Sequence, residues 1–198
     1  MATDIQAVIA HLTGFYSFAG KEIISVGAGG GQLIEYGRGA RRVLAVDCDP
    51  QALEALKKRL REAGLETVFK PRLADFLELE EKTEAVLFEF SLHEMPDPEK
   101  ALRHARNLAA DVVVIDHFPG SRWAYLVSEE AKVENSWEAV RRFPLRAEKK
   151  VETVQRFRDH DELYQKVKGQ GETSIRRIEA FRSSRDFTVP MSYGLAWL

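Results

Sequence analysis

The chain has 198 residues, 44% of them hydrophobic and 30% charged, with a formal net charge of −2. That composition is ordinary for a soluble globular protein, the net charge argues neither for nor against nucleic acid, and the length suits one domain with a proper core. A single cysteine, Cys48, excludes an intramolecular disulfide. No apolar run reaches the roughly 18 residues a membrane span needs, and MATDIQAVIAHLTGF carries no basic flank of a secretion signal; a cytoplasmic protein without membrane contact is expected.

Apolar spacing at Ile5, Val8, Ile9 and Leu12 predicts an N-terminal helix ending near Gly14. Strands and helices then alternate. Glu22–Val26 reads as a strand, 32–36 as a short helix, Arg42–Val46 as a strand, and Pro50–Ala63 as a helix opened by proline and closed by Gly64. A brief strand at 67–69 precedes a longer one at 85–90, a helix at 98–109 and a β-branched strand at 112–115. Beyond residue 118 come a helical stretch at 121–142 with two tryptophans, an alternating strand at 149–157, helix over 159–182, and a closing strand at 187–198. Pro190 there suits an edge or a bend. The pattern predicts a doubly wound, Rossmann-like α/β fold: a mostly parallel seven-stranded sheet, helices on both faces, and an antiparallel C-terminal strand. With no Gly/Ser/Pro-rich linker, 1–198 reads as one domain: an N-terminal helix over 1–20, a ligand-binding half over 21–118, and further helices and strands over 119–198.

The stretch IISVGAGGGQL concentrates four glycines between a strand and a helix-like segment. Such a turn leaves backbone N–H groups at the carboxyl edge of the sheet, where open α/β sheets bind ligands. The dinucleotide fingerprint G-x-G-x-x-G fails by one position, because Gln32 stands where the third glycine belongs; Gly27, Gly29 and Gly31 instead space as G-x-G-x-G. Asp47 ends the second strand 20 residues after Gly27, placed to accept both hydroxyls of a ribose, and Asp49 suits the N-cap of the Pro50 helix. Asp75, with Phe76 beside it, follows the third strand and can accept from an adenine amine; VLFEFSLHEMPDPEKAL runs from the fourth strand into a polar loop and a proline-started helix.

These four pieces, in this order and spacing, resemble the class I S-adenosylmethionine-dependent methyltransferases that act on small molecules, over about residues 20–118. The resemblance implies S-adenosyl-L-methionine as cofactor and S-adenosyl-L-homocysteine as product. It implies that Gly27, Ala28, Gly29 and Gly31 pass under the methionine part, Asp47 holds the ribose with Cys48 against the adenine, and Asp75 and Phe76 read the adenine. Glu89 and Phe90 would line the methionine end, and LHEMPDPEKAL is similar to a motif of that family, with Glu94 replacing its second histidine. Ser25 departs from the pattern, since the family carries an acid two residues before the first glycine. A hydroxyl supplies no charge, and Glu89 is the residue able to compensate.

Methyl transfer from a sulfonium needs alignment and exclusion of water, and a base only where the acceptor must lose a proton. His93 and His117, at strand ends on the carboxyl edge, are the candidate bases. His93, Glu94, Asp116 and His117 lack compact ligand spacing, so no metal is expected. The loop EFSLHE lacks the Asn/Asp-Pro-Pro-aromatic motif of base-methylating relatives, and no basic stripe is present; a small-molecule acceptor is expected and nucleic acid is not. The surplus of 15 Lys/Arg over 12 Asp/Glu after residue 120 is spread like a solvated helical surface. Trp123, Tyr125 and Trp137, following the turn Pro119-Gly120, read either as core or as an aromatic lid on the acceptor side. A catalytically silent binder of the same cofactor is the alternative; a nucleotide-dependent oxidoreductase is disfavoured by Gln32. The oligomeric state is open.

Overall fold

The computed structural model describes residues 4–198. Seven strands form one sheet in the order β3-β2-β1-β4-β5-β7-β6. Strands β1 (Glu22–Val26), β2 (Arg42–Asp47), β3 (Phe69–Leu73), β4 (Ala85–Glu89) and β5 (Asp111–His117) run parallel, whereas β7 (Arg185–Trp197) is antiparallel to β5 and to β6 (Ala147–Asp159). β1 has β2 on one side and β4 on the other, so the strand order reverses there. The ends of both strands open a crevice at the carboxyl edge.

Each helix forms for a local reason. In α2 (Pro50–Ala63) the Asp49 carboxylate accepts from the Gln51 N–H, proline stands in the first turn, and Gly64 closes the end at φ 67°. Its Leu53, Leu56 and Leu60 form one buried stripe. α3 (Pro98–Leu108) repeats the design, with Asp97 accepting from Lys100. The helix α1 (Ile5–Phe15), α2, α4 (Arg122–Leu126), α6 (His160–Val167) and α7 (Glu172–Ile178) cover one face of the sheet; α3 and α5 (Glu130–Arg141) cover the other. The two faces have separate apolar cores, and β4 contributes to both because all five of its residues are buried. No helix among the described residues is long and apolar enough to cross a membrane.

Several boundaries differ from expectation. The third strand lies at Phe69–Leu73 rather than 67–69 and contains Pro71; it is the sheet's outer strand, where a missing N–H costs no ladder bond. The short helix after the glycines lies at Ile34–Gly39 rather than 32–36, and it is a 3-10 helix. α1 continues through Gly14 to Phe15. The stretch 121–142 breaks into α4 and α5 at Ser128, whose φ is 61°. Helix over 159–182 is likewise two α-helices separated by a turn at Gly171, φ 91°. Pro190 pairs only with Val154 of β6, because β5 ends opposite Tyr193; the proline sits on an overhang with one open side.

Candidate active site

The turn after β1 places Gly27, Gly29 and Gly31 at φ 70°, 51° and 74°. They differ in purpose. A Cβ on Gly27 would stand 2.2 Å from the Cβ of Ser91, whose buried hydroxyl donates to the Val26 carbonyl at 2.7 Å. A Cβ on Gly31 would stand 2.7 Å from Leu56 Cδ1. Those two glycines let β1 pack closely against the β4 loop and α2. At Gly29 the nearest atom to an added Cβ is the Gly27 carbonyl oxygen, 3.8 Å away, and at Gly30 it is the Ala55 Cβ, 3.7 Å away, so these two positions are not crowded by the fold. The Asp47 carboxylate accepts from the N–H of Gly29 at 2.8 Å and of Asp49 at 2.9 Å, tying the turn to the end of β2.

Above this edge lies a cleft of about 810 Å³ lined by Gly27, Asp47, Cys48, Asp75, Phe76 and Ser91, within the size range of small-molecule sites. Cys48 is exposed. Asp75 caps a 3-10 turn by accepting from the Leu77 N–H at 2.8 Å. Phe76 is buried, with its ring edge-to-face against Phe88 and His104 at 5.4 and 5.0 Å between centres. A recess of about 220 Å³ shares Gly27 and Phe90 with the cleft and is lined further by Ile5, Ala28, Gly29 and Glu89. A third cavity, about 300 Å³, is lined by Phe90, His93, Glu94, His117, Trp123 and Glu129. Phe90 is common to all three, and it holds φ 50°, unusual for a bulky side chain and tolerated where the surroundings enforce it. Its N–H donates to the Ile115 carbonyl at 2.7 Å, which helps to hold that conformation.

At the inner end of the recess, fully buried Ser25 donates its hydroxyl to Glu89, itself 8% exposed. Burial raises the Glu89 carboxyl to about 7; the nearby Asp47 charge adds to this, and the Ser25 hydrogen bond opposes it. The buried Tyr36 hydroxyl adjoins the pair without closing a well-formed hydrogen bond, and burial with the Glu89 charge raises it well above the usual phenol range. Tyr36 carries no sequence signal; it reaches this place through the 3-10 helix after the glycines.

In the third cavity His93 is 5% exposed, and its Nδ1 lies 2.6 Å from Asp116 Oδ1, while its backbone N–H donates to Asp116 Oδ2 at 2.9 Å. Its Nε2 faces Glu94 at 3.4 Å and Glu129 at 3.5 Å. Burial works against the charge of His93, but the hydrogen bonds and charges of Asp116 and Glu129 prevail and push the imidazole up to about 10. His117, by contrast, is lowered by burial and by the neighbouring His93 charge, and its buried Nδ1 has no hydrogen-bond partner among the described residues. Lys166 also lines this cavity, 5.6 Å from the Trp123 ring centre and without an ion pair among the described residues; burial lowers it. Glu129 and Lys166 come from α5 and α6, far along the chain, and no local motif marks them.

Trp123 is 5% exposed and lines the third cavity. Trp137 and Tyr125 do not line that cavity. Trp137 is fully buried, donates its indole N–H to the His117 carbonyl at 2.5 Å, and packs on Phe118 with ring centres 4.8 Å apart. It is a core residue because α5 turns its apolar stripe onto the sheet. Tyr125 is 39% exposed and covered by the Arg177 guanidinium 3.9 Å from its ring centre, outside the cavity.

Residues 24–114 match a family model described as "Methyltransferase domain". No curated protein sequence matches the chain. Among solved structures, a candidate methyltransferase of Bacillus halodurans C-125 superposes with a TM-score of 0.74 at 12% identity, covering 96% of this chain and 97% of that one. A SAM-dependent methyltransferase from Aquifex aeolicus gives 0.62 at 17% identity, with 99% and 90% covered. Magnesium protoporphyrin IX methyltransferase from Synechocystis PCC 6803 with bound SAM gives 0.56 at 14%, with 97% and 77% covered. The fold is that of the class I S-adenosylmethionine-dependent methyltransferases.

Proposed function

We propose that this chain, built on the class I methyltransferase fold, transfers a methyl group from S-adenosylmethionine to a small molecule. The observation that carries the reading is the meeting of three cavities at Phe90. The cleft and the recess also share Gly27, and the third cavity, which shares Glu94 with the cleft, brings further titratable side chains. The residues suit the cofactor: Gly29 is a turn position open to a ligand, and Asp47 presents a carboxylate at the end of β2. Asp47 would hold the ribose, Asp75 with Cys48 the adenine, and the Gly27–Gly29 backbone with Glu89 the methionine end. Glu89, bonded to Ser25, brings from β4 the acidic group that β1 lacks. When bound, S-adenosylmethionine supplies an activated methyl group for in-line displacement.

The chain's own task is to seat the acceptor and keep water away. His117 lines the third cavity, and burial disfavours its charged form, which makes it the candidate to take a proton from an acceptor hydroxyl. Lys166 offers an unpaired ammonium to an acidic group on the same acceptor. Trp123 supplies an apolar wall. Incubation with S-adenosylmethionine and a library of phenols, hydroxy acids and amines, detecting S-adenosylhomocysteine, tests the reading. Turnover on a member of the library is expected, with His117→Asn lowering kcat by about a hundredfold or more and leaving cofactor affinity intact. Tight S-adenosylhomocysteine binding with no turnover on any member would contradict enzymatic activity.

A further inference from the structure

We infer that the third cavity holds a divalent transition-metal cation, of the Zn²⁺ or Mn²⁺ class, on His93, Glu94 and Glu129. One ligand atom of each, His93 Nε2 and a carboxylate oxygen from each glutamate, lies within 4.8 Å of the others. The two contacts of His93 Nε2, 3.4 Å to Glu94 Oε1 and 3.5 Å to Glu129 Oε2, match donors sharing one ion. Ligands about 2.1 Å from a tetrahedral centre stand roughly 3.4 Å apart. Spacing along the chain hid this set because Glu129 arrives from the start of α5.

Two features go beyond a mere group of charges. Both outer groups already orient their ligand. Asp116, fully buried, engages His93 Nδ1 at 2.6 Å and so aims Nε2 at the glutamates. Lys132 takes Glu94 Oε2 at 2.8 Å, which leaves Oε1 turned inward. A carboxylate behind a ligating imidazole is the usual way in which a protein fixes ring orientation at a metal. The second feature is the meeting of two carboxylates. Glu129 is 7% exposed, and its side-chain partners among the described residues are His93 and Glu94, the other two members of the set. Holding two carboxylates together where one is buried is costly, and a cation between them offsets that cost. In the metal-free chain the Nε2 proton occupies the same space; it leaves to solvent as the ion enters.

Two carboxylates and one imidazole suit cations between the hard and soft extremes and leave coordination positions free. On the methyl-transfer reading, those positions would bind the acceptor's oxygen, making the acceptor class an oxygen nucleophile able to chelate. The site itself does not depend on that reading. Its test uses tag-free, chelator-stripped full chain titrated with ZnCl₂ by calorimetry and with MnCl₂ by electron paramagnetic resonance. One ion per chain is expected, with Glu129→Gln and Glu94→Gln each weakening it at least about tenfold, and Asp116→Asn, a positioning change, weakening it about 10–100-fold. Circular dichroism checks folding, and Glu94→Gln, at an exposed residue, keeps the test valid if the buried variants unfold. Absence of binding at millimolar metal, or equal binding in wild type and both glutamine variants, would show a plain ion pair and overturn the site. S-adenosylhomocysteine titrations on the same samples separate that failure from failure of the cofactor reading.

Discussion

Glu89→Gln keeps the shape of the inner recess and removes the charge it can develop. Glu89 titrates near 7 rather than 4.5, raised by burial, so below neutrality the free protein holds it protonated. A bound ligand ammonium favours the carboxylate, and ligand binding in wild type therefore expels a proton at pH 6. Affinity for S-adenosylhomocysteine should climb up to about tenfold per pH unit below 7. It should flatten above that and fall again only in the alkaline range, where the ligand's own amino group loses its charge. In Glu89→Gln the acidic limb of this bell disappears. Losing a hydrogen bond to a charged group costs about 1.5–3 kcal/mol, or roughly 10–150-fold in Kd at pH 7.5. The stability of the free protein carries the same signature. A folded-state value raised from 4.5 to about 7 contributes stability present below the unfolded value and lost as pH rises through 7. About 3 kcal/mol separates the two limits for this shift, and Glu89→Gln should lose that dependence. Calorimetry at pH 6, 7 and 8 with parallel denaturant titrations reads both effects. A flat acidic limb in wild type, or wild-type affinity in the variant at pH 7.5, would refute the role given to Glu89.

Asp47→Ala should weaken S-adenosylhomocysteine binding by about 2–4 kcal/mol; because Asp47 also accepts from the Gly29 and Asp49 N–H groups, Asp47→Asn serves as the control that retains an acceptor for the turn. Gly29→Val should abolish ligand binding, measured by calorimetry, at a folding cost of about 1–3 kcal/mol from its positive φ. Gly27→Ala should instead fail chiefly in stability, measured by denaturant unfolding, since its Cβ meets Ser91 at 2.2 Å. Trp137→Phe should lower stability by about 1–3 kcal/mol through the lost indole bond and volume, with S-adenosylhomocysteine affinity unchanged.

Much of the cofactor half was legible because its signals are local. The Asp49 cap, Pro50 and Gly64 bound α2 as expected, and apolar runs mark β1, β4 and β5 because strands covered on both faces need no alternation. The strand at 69–73 was hidden by Pro71, which only its outer position excuses. Ser25 and Glu89 were readable as separate residues; that they bond each other depends on β1 and β4 pairing in register. The third cavity was least legible. Asp116 and His117 lie at the end of β5 and His93 in a 3-10 turn after β4, but Glu129 and Lys166 reach them through the packing of α5 and α6, which periodicity does not reveal. Aromatic spacing likewise does not distinguish Trp123, at the cavity wall, from Trp137, inside the core.

Calorimetric titration of the purified chain with S-adenosylhomocysteine, with NAD as the parallel ligand, tests the central claim most directly. Saturable binding of one S-adenosylhomocysteine per chain is expected, weakened in Asp47→Ala and absent in Gly29→Val, with no heat from NAD. Binding of NAD, or no binding of S-adenosylhomocysteine at millimolar concentration to the folded wild-type chain, would contradict it.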